Sequence, residues 1–339
     1  PNKLNGENDM TQGFRSFLEQ TLHYFDRPHE AALTRPLDVP AAWVGKDMPR
    51  LADMAYSLSA DEVAELDAAL AFAQETGKAQ KDMVAADFPL PRLEPMIARW
   101  RTELKEGLGL QVVRGVSVDR WSEEEAALFF WCLGLHLGRP GGQNPNEDLL
   151  GHVRDTHASK ADPMVRLYQT SANIDYHCDA ADVVGLLCLK KAKTGGKSRI
   201  VSSVSVFNRL VAEQPALAAR LFEPFYLDSR NETREGASGA VPIPPCRYAD
   251  GKLRTFYHAD YFRSAVRHAD VPAFSQQEQA CLDRYEEIAS DPDLYLDMEL
   301  EPGTIQLLSN HTNLHARTEY EDHGDPAERR HLLRLWLSL

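Results

Sequence analysis

The stretch Asn173-Ile-Asp-Tyr-His-Cys-Asp-Ala-Ala-Asp182 decides how the rest of the chain is read. On an extended strand, side chains two apart project to the same side, so His177 and Asp179 would point together while Cys178 faces away. An imidazole and a carboxylate on one side make two thirds of a 2-His-1-carboxylate site, the ligand set of non-haem Fe(II). Two positions this close in the chain do not surround a cation, so the third ligand has to come from elsewhere.

The pair alone is a weak signal. His-x-Asp occurs four times, at His177/Asp179, His258/Asp260, His268/Asp270 and His323/Asp325, and about one match is expected by chance in a chain this rich in histidine. Context separates them. Only the first is followed by an apolar, β-rich run, Val183–Leu189, and then a Gly195-Gly196 turn. His323/Asp325 lies in a loop-like acidic, Gly- and Pro-containing tract, and His258 and His268 flank the helix-like Asp260–Arg267.

Upstream of this stretch the pattern is helical. Ser59 with Glu62, and Ser122 with Glu125, are capping boxes that open two helices, ended by Gly77 and Gly138. Between them, Met96, Ile97, Trp100 and Leu104 define a helix over Arg92–Lys105. Leu108–Val118 alternates as a strand, and residues 139–164 read as a long polar loop. Downstream the character changes to strands: Val165–Ser171, Ile174–Cys178, Val183–Lys190 and Arg199–Val204. A helix over Val206–Leu221, bent near Pro215, interrupts them; residues 228–245 read as loop, and Asp250-Gly251 as a hairpin turn. Phe274–Ile288 is helical, and strands around Leu296–Leu300, Thr304–Ser309 and Leu332–Leu337 finish the chain. Helices first and strands later predict an α+β fold with a barrel or sandwich, not alternating βαβ units.

With 339 residues and 43% hydrophobic content, the chain can bury a sizeable core. A formal net charge of −14 and no basic stripe argue against nucleic acid, and no apolar run reaches the length of a membrane span. Five scattered cysteines without Cys-x-x-Cys fit a reducing, cytoplasmic setting. Residues 1–9 read as an expression remnant or disordered arm.

The final strand is the second informative stretch. In Arg330-His-Leu-Leu-Arg-Leu-Trp-Leu-Ser338, period two puts Arg330, Leu332, Arg334, Trp336 and Ser338 on one face and His331, Leu333, Leu335 and Leu337 on the other. Both faces carry large apolar residues, so both are expected to be buried. Buried guanidiniums need anions: either local acids such as Glu299 and Glu301, or a carboxylated ligand held bidentately. For the third metal ligand, His311 and His315 are both eligible.

His-x-Asp, an apolar strand, a Gly-Gly turn, Asn-x4-His and a late Arg-x3-Arg, in this order over residues 108–339, resemble the Fe(II)/2-oxoglutarate dioxygenases of the taurine dioxygenase and clavaminate synthase-like family. The resemblance implies a double-stranded β-helix, or jelly roll, over 108–339 with insertions at 139–164 and 205–290. A mostly helical region, 10–107, would pack on it within a single domain, with the helices outside. It implies His177, Asp179 and His315 as ligands of Fe(II), with Asn310 as the family's Asn five residues before the last. It implies Ser198, in place of the family's Thr, and Arg330 as contacts of 2-oxoglutarate, with Asn310 also among the cofactor contacts. Arg334, four residues on and about 13 Å along the strand, would meet an anionic substrate group, and Gln169, Asn173, Tyr257 and His258 are further candidates to line the pocket.

The implied reaction consumes O2 and 2-oxoglutarate, releases succinate and CO2, and hydroxylates an unactivated C–H of a small metabolite, carboxylated or amino-acid-like. Desaturation and epoxidation use the same oxidant. Halogenation is disfavoured, because Asp179 occupies the position a chloride would need. A non-catalytic metal- or ligand-binding barrel and a zinc hydrolase remain the competing classes.

Overall fold

The computed structural model describes residues 13–156, 170–230 and 239–339. Helices α1 (Phe17–Phe25), α2 (Ala60–Glu75), α3 (Glu94–Glu106) and α4 (Glu123–Leu137) come first, with strands β1 (Tyr56–Ser57) and β2 (Leu110–Arg114) among them. Six strands follow: β3 (Arg139–Pro140), β4 (Leu150–Val153), β5 (Ile174–His177), β6 (Val183–Lys190), β7 (Thr194–Gly195) and β8 (Ser198–Ser202). Helices α5 (Ser203–Glu213) and α6 (Pro215–Arg220) precede two hairpins, β9 (Phe225–Asp228) with β10 (Ala240–Ile243) and β11 (Cys246–Ala249) with β12 (Lys252–Thr255). Then α7 (Ala259–Ser264) and α8 (Gln276–Ala289) lead into β13 (Tyr295–Met298), β14 (Ile305–Ser309), β15 (Asn313–Arg317), β16 (Tyr320–Glu321) and β17 (His331–Ser338).

Local chemistry explains most boundaries. Ser59 and Ser122 each accept from the backbone N–H three residues on, and Glu62 and Glu125 return the bond. Pro215 separates α5 from α6 because it starts a helix well and continues one badly. Asp250 and Gly251 both take positive φ, 52° and 73°, as a two-residue hairpin turn requires.

A seven-stranded sheet runs β1-β2-β14-β6-β17-β3, with β4 also paired to β17, and a four-stranded sheet runs β13-β8-β15-β5. Apart from the parallel β1–β2 pair, these pairings are antiparallel. The sheets face one another across a core shared by Val184, Leu308, Leu332 and Trp336 from the larger and Ile200, Leu296 and Met298 from the smaller. From β5 to β8, and again from β13 to β17, the long strands alternate between the two sheets. Helices cover the outside. α2, α3 and α4 pack on the larger sheet, where Leu333, Leu335 and Leu337 of β17 meet them; α5, α7 and α8 pack beside the smaller one. Both faces of β17 are therefore buried, with the period-two division expected.

Several expectations need correcting. The region 139–164 is not all loop, since β3 and β4 both pair with β17; residues 157–164 lie outside the described residues. The region 228–245 contains β10, paired to β9. Strand β15 went unforeseen because Asn313-Leu-His-Ala-Arg317 carries polar side chains on its inner face. The expected strand Val165–Ser171 falls mostly outside the described residues, as do residues 1–9. Among the described residues no helix is long and apolar enough to cross a membrane, and all five cysteines are buried and unpaired.

Asp182, which closes the opening stretch, ties distant parts of the chain together. Its carboxylate meets His23 Nε2 and His311 Nε2 at 2.8 Å each and accepts from the Leu339 N–H at 2.8 Å. Asp182→Ala would strand these partly buried partners, and urea unfolding should register a loss of about 3 kcal/mol.

Candidate active site

Strands β5 and β15 run antiparallel with His177 directly opposite His315, and their rings lie 4.2 Å apart between centroids. Strand β5 ends at His177, so Asp179 sits in the turn beyond it, not on the strand as period two assumed. Asn310 holds that turn. Fully buried, it accepts from the Asp179 N–H through Oδ1 at 3.1 Å and donates through Nδ2 to Ala181 O at 2.9 Å. The ligand atoms of His177, Asp179 and His315 consequently lie within 4.8 Å of one another. Asn310, expected among the cofactor contacts, is instead a positioning residue, because its amide is spent on the Asp179 turn. His311 is drawn away from the cluster: it bonds to Asp182 and stacks on Tyr24 at 4.7 Å.

The donor set suits a cation. His177 Nδ1 is 2.9 Å from Asp175 O, which places the proton on Nδ1 and leaves the Nε2 lone pair facing outward. Asp179 Oδ2 and His315 Nδ1 are buried without a hydrogen-bond partner, a costly state for a carboxylate that a bound metal relieves. Burial, and then His177, push the His315 imidazole down to about 3, so its ring is neutral at physiological pH, the form that ligates metals. Burial alone would raise the Asp179 carboxyl. The Arg334 guanidinium, followed by His315 and His177, outweighs it and holds the group below the ordinary value.

Arg334 is closer to this centre than expected. Its Nη1 lies 3.6 Å from Asp179 Oδ1, and its Nε donates to Gln143 Oε1 at 2.8 Å. Neither Glu299 nor Glu301 is its partner; Glu301 pairs with Lys191. Gln143, unnoticed in the sequence, is buried and also donates to Arg334 O. Its signal was a Gly-Gly-Gln tract read as loop.

Arg330 forms a second polar focus. It is buried, and its Nη1 has no hydrogen-bond partner. The Gly195-Gly196 turn makes room for it: Gly196 has φ +70°, and a Cβ there would sit 3.2 Å from Arg330 Nε. The Tyr320 ring lies 5.1 Å from the Arg330 guanidinium and 4.8 Å from that of Arg317. Arg317, two residues past His315 on β15, is also buried; its Nη2 donates to Thr170 O and Ala172 O, while Nε and Nη1 have no partner. Burial, then Arg330, lower its pKa to about 10. Period two from His315 would have flagged it. Ser198 Oγ donates to Gln306 Oε1 at 2.8 Å, and Gln306 Nε2 is buried without a partner.

The substrate candidates divide. His258 bridges to His177 in the backbone, its ring 5.1 Å from that of His177. Tyr257 turns away into the helical core, bonding Glu286 at 2.9 Å and stacking on Tyr285. Asn173 is exposed and donates to Asp175 at 2.6 Å. Gln169 lies outside the described residues.

Residues 73–336 match the model of the "Taurine catabolism dioxygenase TauD, TfdA family". The chain belongs to the TauD/TfdA family. It is therefore a non-haem Fe(II)/2-oxoglutarate-dependent dioxygenase, using Fe(II), 2-oxoglutarate and O2. FR-33289 synthase of Streptomyces rubellomurinus is 30% identical over 310 residues, covering 91% of each chain. The taurine hydroxylase-like protein SAT17 of Stachybotrys chartarum is 30% identical over 320 residues, 91% of this chain and 82% of its own. Among solved structures, an asparagine oxygenase in complex with Fe(II), 2S,3S-3-hydroxyasparagine and succinate superposes with a TM-score of 0.67 at 16% identity, over 84% of this chain and 93% of that one. The non-haem iron oxygenase OrfP with Fe and α-ketoglutaric acid gives 0.60 at 16%, over 84% and 94%. At such identities these two speak for the fold.

Arg334 generates a pH test on the metal-free protein. In the wild type the lowered Asp179 pKa contributes stability that is present above the unfolded value and lost as pH falls through the folded one. In Arg334→Met the burial effect dominates and the folded pKa rises. Urea melts should then show the variant losing stability relative to wild type as pH increases from about 4 to 8; parallel curves would mean Arg334 does not set this carboxyl.

Proposed function

We propose that His177, Asp179 and His315 hold the Fe(II), that Arg330 pairs with the distal carboxylate of 2-oxoglutarate, and that the enzyme hydroxylates an unactivated C–H of a small carboxylated or amino-acid-like metabolite, releasing succinate and CO2. The observation that carries this reading is the convergence of two imidazoles on a buried carboxylate oxygen that has no hydrogen-bond partner. The alternation of strands between two sheets supports a double-stranded β-helix as the scaffold. Iron, with 2-oxoglutarate and O2 bound, supplies the oxidant for the C–H bond.

The protein's part is orientation and charge. Asp175 O keeps His177 in the tautomer that presents Nε2. Asn310 fixes the Asp179 turn, and Arg334 keeps that carboxylate ionised in an apolar interior. Arg330, with Arg317 near the same Tyr320 ring, concentrates positive charge where a carboxylate would be received bidentately. Ser198 Oγ and the unpaired Gln306 Nε2 offer further donors to the same cosubstrate. Arg334, already beside the metal carboxylate, is the cation available to an anionic substrate group. The amino-acid reading draws on the structural neighbours, solved with hydroxyasparagine and hydroxyarginine.

The test is substrate-stimulated succinate formation across a panel of amino acids and small carboxylic acids, run under 18O2. A carboxylated compound should stimulate turnover and gain one labelled oxygen; a product two hydrogens lighter and without label would contradict hydroxylation. Arg330→Lys keeps the charge and loses the fork, so half-saturation by 2-oxoglutarate should rise roughly tenfold, with Arg330→Ala worse. An unchanged requirement in both would leave Arg330 a structural residue.

A further inference from the structure

Strand β17 carries a second group of ligating side chains on the face turned away from Arg330 and Arg334. There, His331 meets His152 of β4 and Glu123, the first residue of α4, with one ligand atom from each lying within 4.8 Å of the others. The cluster is independent of the iron site: it sits against the helical layer, outside the two-sheet core. His152 pairs across from Leu333, which puts it on the same sheet face as His331.

Only one of the three contacts is a good hydrogen bond. His152 Nδ1 is 2.9 Å from His331 Nε2, so one proton can bridge the two rings. The Glu123 carboxylate then falls short of both, at 3.4 Å from His152 Nδ1 and 3.6 Å from His331 Nδ1, beyond good hydrogen-bond range. The two contacts of His152 Nδ1, to His331 Nε2 and to Glu123 Oε1, have the lengths of ligand edges around one ion. With bonds of about 2.0–2.2 Å, a 90° angle spans about 2.9 Å and a tetrahedral angle about 3.4 Å. Arg154 Nη1 also approaches the carboxylate, at 4.0 Å from a half-exposed side chain.

We infer that Glu123, His152 and His331 form a second metal site, selective for a borderline divalent ion of the zinc class, that pins β4 and the start of α4 to β17. Imidazole and carboxylate ligands suit such an ion. The exposed side of the cluster leaves room for water to complete its coordination. The site would brace β4 where Gly151 pairs with Arg334, so that a metal on one face of the strand stiffens the guanidinium on the other.

Zinc binding to chelator-treated full-length protein tests this, with bound metal measured after equilibrium dialysis and melting temperature followed alongside. Because zinc also enters the iron site, the variants must be crossed. Wild type should retain two equivalents, and His315→Ala one. Glu123→Gln and His152→Ala, both at partly exposed positions chosen in preference to buried His331, should each retain one. The double variant His315→Ala/His152→Ala should retain none. Zinc should raise the melting temperature of His315→Ala and leave that of the double variant unmoved. If Glu123→Gln and His152→Ala still hold both equivalents, or His315→Ala holds none, the second site does not exist. The Glu123 and His152 arms do not bear on the iron ligands, which the His315 arm reads separately.

Discussion

A carboxylate buried between two apolar sheets is the constraint on which this structure depends. An ionised Asp179 at that depth is costly without compensation, and the elements around it supply that compensation. The turn after β5 is held by Asn310 from the β14–β15 connection. Strand β15 brings His315 opposite His177, and β17 brings Arg334 within 3.6 Å. Each of these belongs to a different strand or turn, so the site exists only when both sheets have closed. Folding and metal binding are coupled for the same reason.

Strand β17 shows how one sequence period serves two purposes. Its odd-numbered positions fill the core under α2, α3 and α4, while Leu332 and Trp336 face the other sheet beside two arginines. The hydrophobic burial of both faces makes the strand rigid, and that rigidity is what holds a long guanidinium side chain in one place. Gln143, reached from a segment without regular periodicity, completes the hold on Arg334.

Much of this was legible in the sequence, and the exceptions have physical causes. Capping boxes at Ser59 and Ser122, the break at Pro215 and the Asp250-Gly251 turn are local signals and read true. His177 and Asp179 do come together, but period two explains this only in part: the strand ends at His177, and a long-range bond to Asn310 aims the carboxylate. Strand β15 was missed because its inner face carries His315 and Arg317 in place of apolar residues; its functional content hid its structure. His311, the other eligible histidine, is held away from His177 and Asp179 by Asp182 and Tyr24, contacts no local pattern reveals. Tyr257 was misplaced for a similar reason, since its hydroxyl partner Glu286 comes from a helix nearly thirty residues on.

The account stands on the claim that His177, Asp179 and His315, and not His311, make the iron site. Anaerobic addition of Fe(II) and 2-oxoglutarate measures it directly, through the weak visible charge-transfer band of a 2-oxo acid chelated to iron. Wild type and His311→Ala should both develop the band, and His315→Ala should not. A band that survives in His315→Ala and disappears in His311→Ala would contradict the assignment.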